Sequence, residues 1–161
     1  MILQSEEERT NLYISKELRR LGVRQESWYY HVEIKYLEDG DTEQEIMCKG
    51  GIFEAEKDAE IKILSVYSAY TLAEIFHLIP LKIDRMSLRI YKEENGKYGA
   101  VFENDFFENP NTPYNQNSKG EVLKSPFLEV HHNPILVNLL GMILVNLLKN
   151  GYVLAKKINQ S

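Results

Sequence analysis

Hydrophobic positions along this chain alternate between a period near 3.6 and a period of two, and each change of period marks an element. Ser5 followed by Glu6, Glu7 and Glu8 reads as a capping box with an acidic first turn. Leu12 or Ile14, Leu18 and Leu21 follow at helical spacing as far as Gly22, which predicts a first helix over residues 6–21. From Ser27 to Tyr36 the period is two. Trp28, Tyr30, Val32, Ile34 and Tyr36 share one face and Tyr29, His31, Glu33 and Lys35 the other, the pattern of a strand. LEDGDTEQE is a turn, and Glu45 to Ala55 reads as a weaker strand interrupted by Gly50 and Gly51. Ile61, Ile63, Ser65 and Tyr67 alternate with Lys62, Leu64 and Val66; both sets are largely apolar, so a central, doubly covered strand is expected.

Tyr70 to Pro80 holds the clearest local signals. Thr71 and Glu74 form a capping box, Tyr70 and Ile75 a hydrophobic staple, and Leu72, Ile75, Phe76 and Ile79 an apolar stripe that ends at Pro80. Asn95-Gly96 then predicts a two-residue hairpin turn of type I′. Pairing across it sets Glu94 opposite Lys97 and Ile90 opposite Val101. Leu88, Ile90 and Val101 then share one face, and Arg89, Tyr91, Tyr98 and Phe102 a second, partly exposed one. Residues 104–124 are rich in asparagine, with Pro110, Pro113 and Gly120, and read as a long irregular loop of a kind often given over to function. Phe127 to His131 returns as a short strand.

Asn133 to Gly151 reads as one helix, with Asn133 as cap, Pro134 in the first turn and Gly151 as a left-handed stop. Its apolar run, Pro134 to Leu148, would be roughly 22 Å long at about 1.5 Å per residue. A bilayer core needs about 30 Å. On the helical wheel Leu136, Val137, Leu139, Leu140, Ile143, Leu144, Leu147 and Leu148 gather on a broad face, and Asn138, Val145, Asn146 and Lys149 on a narrow stripe. The helix is therefore expected to lie across the protein's own sheet, outside any membrane. Any surplus apolar face is accounted for first by a wide core, with a homodimer through this C-terminal helix as the alternative outlet. The elements together predict one α+β domain over residues 1–161. It would have an approximately five-stranded, mostly antiparallel sheet, the long C-terminal helix packed on it and two shorter helices.

Composition narrows the function classes. A length of 161 residues with 43% hydrophobic and 27% charged residues suits one ordinary globular domain. MILQSEEERT places acids where a secretory signal needs basic and apolar residues, and Cys48 is the only cysteine; both suit a soluble cytoplasmic protein without disulfides. A net charge of −5 argues against nucleic acid, and the small basic clusters, Arg19, Arg20 and Arg24, then Lys156 and Lys157, are explained by helix C-termini.

Candidate chemistry is sparse. Glu129, His131 and His132 come closest to a metal cluster, but no further ligand stands at a recognisable spacing, and a polar strand end accounts for them as well. Counted from Asp39, a calcium loop would need glycine sixth and glutamate twelfth, where Gln44 and Gly50 stand. Cys48 has neither an adjacent histidine nor a predicted helix N-terminus to activate it. Acidic residues near 103–108, Glu103, Asp105 and Glu108, with His131 or His132, would make a small hydrolase the alternative reading. No catalytic residue, cofactor or metal is assigned. The remaining lead is Phe106, Phe107 and Tyr114, aromatics on a loop, where binding surfaces favour them; their bland role is to pin the loop to the hairpin.

The order YTLAEIFHLIP, SLRIYKEENGKYGAVF, SKGEVLKSPFLEV and a long helix ending NGY resembles short uncharacterised reading frames from phages and prophages of gut Bacteroidetes-type bacteria. The resemblance covers about residues 68–152 and rests on structural punctuation. The final helix here is richer in leucine, with Asn138 and Gly141 where those frames carry alanine or charged residues. The resemblance implies a non-enzymatic accessory or interaction protein of a mobile element, acting on a protein partner, and it carries no site residues.

Overall fold

The computed structural model describes residues 9–83, 86–104 and 131–160. It is α+β, with two antiparallel sheets in place of the single sheet expected. The first has strand order β2-β1-β3, from β1 (Tyr29–Tyr36), β2 (Thr42–Cys48) and β3 (Ile61–Ser68). The second runs β4-β5-β6-β7, from β4 (Lys82–Ile83), β5 (Met86–Lys92), β6 (Tyr98–Asn104) and β7 (His131–Asn133). Five helices accompany them among the described residues: α1 (Leu12–Arg20), α2 (Lys49–Ala55), α3 (Leu72–Leu78), α4 (Leu136–Lys149) and α5 (Ala155–Ile158). None is long and apolar enough to cross a membrane.

In the described residues α1 starts at Leu12 rather than residue 6, because Asn11 is its cap and accepts the Ile14 N–H through Oδ1 at 2.9 Å. The Ser5 capping box lies outside the described residues. The weaker strand over 45–55 is corrected to β2 followed by α2. Ile52 packs with Met47 beneath Tyr30, Val32 and Ile34, and that burial outweighs the cost of two glycines in one turn. The expectation of a central strand at 61–67 is also corrected, since β1 is the central strand and β3 an edge. Its double apolar face comes from a bulge. Ile61 and Ile63 face the small core under α2, Leu64 is left without a register partner and 44% exposed, and Val66 then returns to the core side.

The hairpin forms one residue out of the expected register. Glu93 N–H bonds to Lys97 O at 2.8 Å and Gly96 N–H to Glu93 O at 2.9 Å, with Gly96 at φ +82°, which makes a three-residue loop. Ile90 therefore faces Ala100, and Leu88 faces Phe102. A shift of one residue turns a whole strand over. Tyr98, Ala100 and Phe102 now join Leu88 and Ile90 on the core side, with Phe102 fully buried, while Val101 turns to the outer side. On that outer side the Tyr91 ring lies over Gly99, in the space a Cβ would need.

The C-terminal helix ends as the sequence indicates. Gly151, at φ +72°, donates to Leu148 O and Tyr152 to Leu147 O, closing a Schellman motif. Its start differs: Ile135 is the cap, and Asn133 instead folds the preceding turn by accepting the Ile135 N–H at 2.8 Å. The polar stripe is exposed only toward its end, at Lys149 and in part at Asn146. Asn138 is 5% exposed and Val145 is buried, because α1 covers that side while β6, β7 and α3 hold the others. Asn138 Oδ1 accepts the Asn11 N–H at 2.8 Å, at the first turn of α1. Gly141 makes the approach feasible, since a Cβ there would stand 2.7 Å from Ile14 Cγ2 and 3.2 Å from Thr10 Cγ2. Nine of the fourteen α4 residues are buried within the chain.

Gly141→Val is expected to cost about 1–3 kcal/mol, as overpacking does in a filled core. Gly50→Ala, where an added Cβ meets nothing within 4 Å, is expected to be neutral or slightly stabilising. Urea unfolding of both variants checks the contrast.

Candidate anion-binding groove

The outer edge of β3 and the exposed side of α1 enclose an open groove of about 790 Å³. The geometry follows from helical spacing. Ile14 and Leu18 point into the core, which leaves Lys16, Arg19 and Arg20 on the opposite, exposed side. Tyr67 of β3 lies beneath them, with Lys16 Nζ 5.5 Å and Arg19 Cζ 5.1 Å from its ring centroid, both within cation–π range. Arg19 Nη1 also donates to Val66 O at 2.9 Å, which fastens the helix to the strand edge. The bulged Leu64 adds an exposed apolar side chain to the lining.

Glu17 is the carboxylate of the lining. It accepts Arg20 Nε at 3.1 Å and Arg20 Nη2 at 3.0 Å, and pairs with Lys149 Nζ of α4 at 2.7 Å. The Arg20 bonds first, and the Lys149 bond second, pull its carboxyl from the ordinary 4.5 down to about 2. Glu33, one strand inward, takes the Ser65 hydroxyl at 3.2 Å. Lys16, Arg19, Arg20 and Lys149 thus stand against two carboxylates, a local positive excess on a chain of net charge −5. Three of the lining side chains are cations and one is a carboxylate, a balance that suits an anion.

The residues singled out from sequence fall elsewhere. Phe106, Phe107 and Tyr114 lie outside the described residues, as do Asp105, Glu108, Glu129 and the side chains of Glu103 and His131. His132 is described, and its Nδ1 sits 2.7 Å from Glu93 Oε1, at the hairpin loop. Its carboxylate partner therefore comes from residue 93, outside the 103–108 group. Cys48 is exposed and, contrary to expectation, caps a helix, α2, although its side chain makes no capping bond. His31 is half-buried, with Nε2 2.7 Å from the Thr10 carbonyl. Burial first, and Arg9 nearby, push its pKa below the ordinary value against the pull of that carbonyl. Among the described residues no three His, Cys, Asp or Glu side chains are grouped to hold a metal ion. The one signal for the groove in the sequence was Lys16, Arg19 and Arg20 at helical spacing. Tyr67 and Lys149, far away in the chain, could not be assigned to it.

Comparison with protein-family models, curated proteins and solved structures finds no match to this chain.

A carboxyl held near 2 stabilises the fold above about 4.5, its unperturbed value, and that contribution fades as pH falls toward about 2. The urea midpoint of the wild type is therefore expected to exceed that of Glu17→Gln at pH 5, and the gap to close steadily on acidification toward pH 2.

Proposed function

We propose that this is a non-enzymatic interaction protein whose α1–β3 groove binds an acidic segment of a protein partner. One observation carries the reading. Exposed cations of α1 gather around Tyr67 and the uncovered Leu64, while the lining carboxylate, Glu17, is already paired with Arg20 and with Lys149 of α4. A mixed lining of cations, an aromatic ring and one aliphatic side chain suits a peptide bearing both acids and apolar residues.

Nucleic acid fits less well. Arg19 and Arg20 are engaged with the Val66 carbonyl and Glu17, and a chain of net charge −5 repels a long polyanion that would need several free cations. A hydrolase built on residues 103–108 and a histidine draws no support from His132, which is bonded to Glu93. The accessory role in a phage or prophage, in the cytoplasm of its host, is part of the proposal and rests on the sequence resemblance and composition alone.

Fluorescence anisotropy with a labelled peptide of alternating Glu and Leu provides the test. Binding is expected to saturate, to weaken about three- to tenfold in Lys16→Glu, and to weaken further as ionic strength is raised and screening shortens. Binding insensitive to both changes would refute the groove, and tighter binding of a single-stranded oligonucleotide would overturn the choice of partner.

A further inference from the structure

The two outer edges of the three-stranded sheet are built differently. That of β3 is guarded: Leu64 bulges out of register, Arg19 Nη1 occupies the Val66 carbonyl, and Gln25 Oε1 accepts the Ser68 N–H at 3.0 Å. Among the described residues that of β2 carries none of these devices. Its register with β1 is unbroken from Thr42 to Cys48, and among the described residues it has no neighbouring strand but β1.

Hydrogen-bond parity shows which of its backbone groups are open. Tyr36 N–H donates to Asp41 O at 2.9 Å, so residues two, four and six further along, Glu43, Glu45 and Met47, turn their N–H and C=O groups toward β1. The backbone groups of Thr42, Gln44 and Ile46 then point away from the sheet, three donors and three acceptors in a row. Beside them Glu43 and Glu45 are exposed on one face and Ile46, 37% exposed, on the other. Glu38, Asp39 and Asp41 fill the preceding turn. The negative field is felt by Tyr36, whose phenol is pushed up first by Glu43, with Glu45 and Asp39 contributing.

We propose that the β2 edge accepts a basic, extended segment of a protein partner as an added strand of this sheet. The open backbone groups make the site, and the carboxylates set the sign of what it takes. Lysine or arginine at alternate positions of the incoming strand falls beside Glu43 and Glu45, and apolar residues at the intervening positions fall beside Ile46. A second copy of this chain is the wrong occupant, because antiparallel pairing of two β2 edges about Gln44 would oppose Glu43 of each copy to Glu45 of the other. This surface is separate from the α1–β3 groove and calls for the opposite charge.

The test uses the full chain and an acetylated seven-residue peptide of alternating Lys and Val. Binding is expected to slow amide exchange at Gln44 and Ile46 while leaving Glu43 and Glu45, already bonded to β1, unchanged. Gln44→Pro removes an outward N–H without touching the β1 ladder and is expected to weaken binding about tenfold or more. Glu43→Lys/Glu45→Lys should weaken it comparably, and should leave the three-stranded sheet intact if the proline does not. No binding, binding without protection of Gln44 and Ile46, or equal affinity in the charge-reversed variant would each overturn the proposal. Protection of those amides at high protein concentration without peptide would overturn it in favour of self-pairing.

Discussion

The absence of a side chain at Gly141 allows Ile14 and Thr10 of the α1 region to settle against the backbone of α4, and most of the molecule is arranged around that approach. A helix with apolar residues over most of its circumference needs cover on more than one side. The β5–β6–β7 face, through Ala100 and Phe102, supplies one side, α3 a second and α1 a third. Asn138 is the buried polar side chain of α4, and its Oδ1 accepts the Asn11 N–H, which fixes where α1 begins. Thr10, buried beside it, donates its N–H to Tyr70 O, accepts the Tyr70 N–H at Oγ1, and accepts a third bond from His31 at its carbonyl. The same few residues therefore join α4, the start of α3 and the first sheet.

That junction also makes both candidate surfaces. Once α1 is pressed against α4, its opposite side meets the edge of β3, and Lys149 from the last turn of α4 comes within reach of Glu17. The first sheet is thereby polarised: a cationic groove along β3, and across β1 an open, acidic β2 edge. Sheet edges are ordinarily blunted by bulges, charges or cover. Among the described residues the bulge and the cover both fall on β3, and β2 has charge alone.

Much of the fold was legible where local chemistry decides the outcome. The Thr71–Glu74 capping box forms with both of its bonds, and Gly151 ends α4 as its position indicates. The failures have tertiary causes. Asn95-Gly96 marks a turn correctly, but the choice between a two- and a three-residue loop was settled by burial of Phe102 and Tyr98 against α4, which no local rule contains. The apolar run in β3 implied two covered faces, whereas one extra residue, Leu64, explains it. Asn138 stood on the narrow polar stripe with no partner in view, because the group it bonds is the backbone of a residue at the far end of the chain. The groove was hidden for the same reason, its parts being drawn from α1, β3 and α4.

Native-state hydrogen exchange across α4 tests the enclosure most directly. If α4 is held on all sides, the amides of Leu139 to Leu147 should exchange only through global unfolding, with the same free energy as those around Leu18 in α1 and Phe102 in β6. Exchange of α4 at a distinctly lower free energy than β6, as a unit that opens by itself, would contradict it.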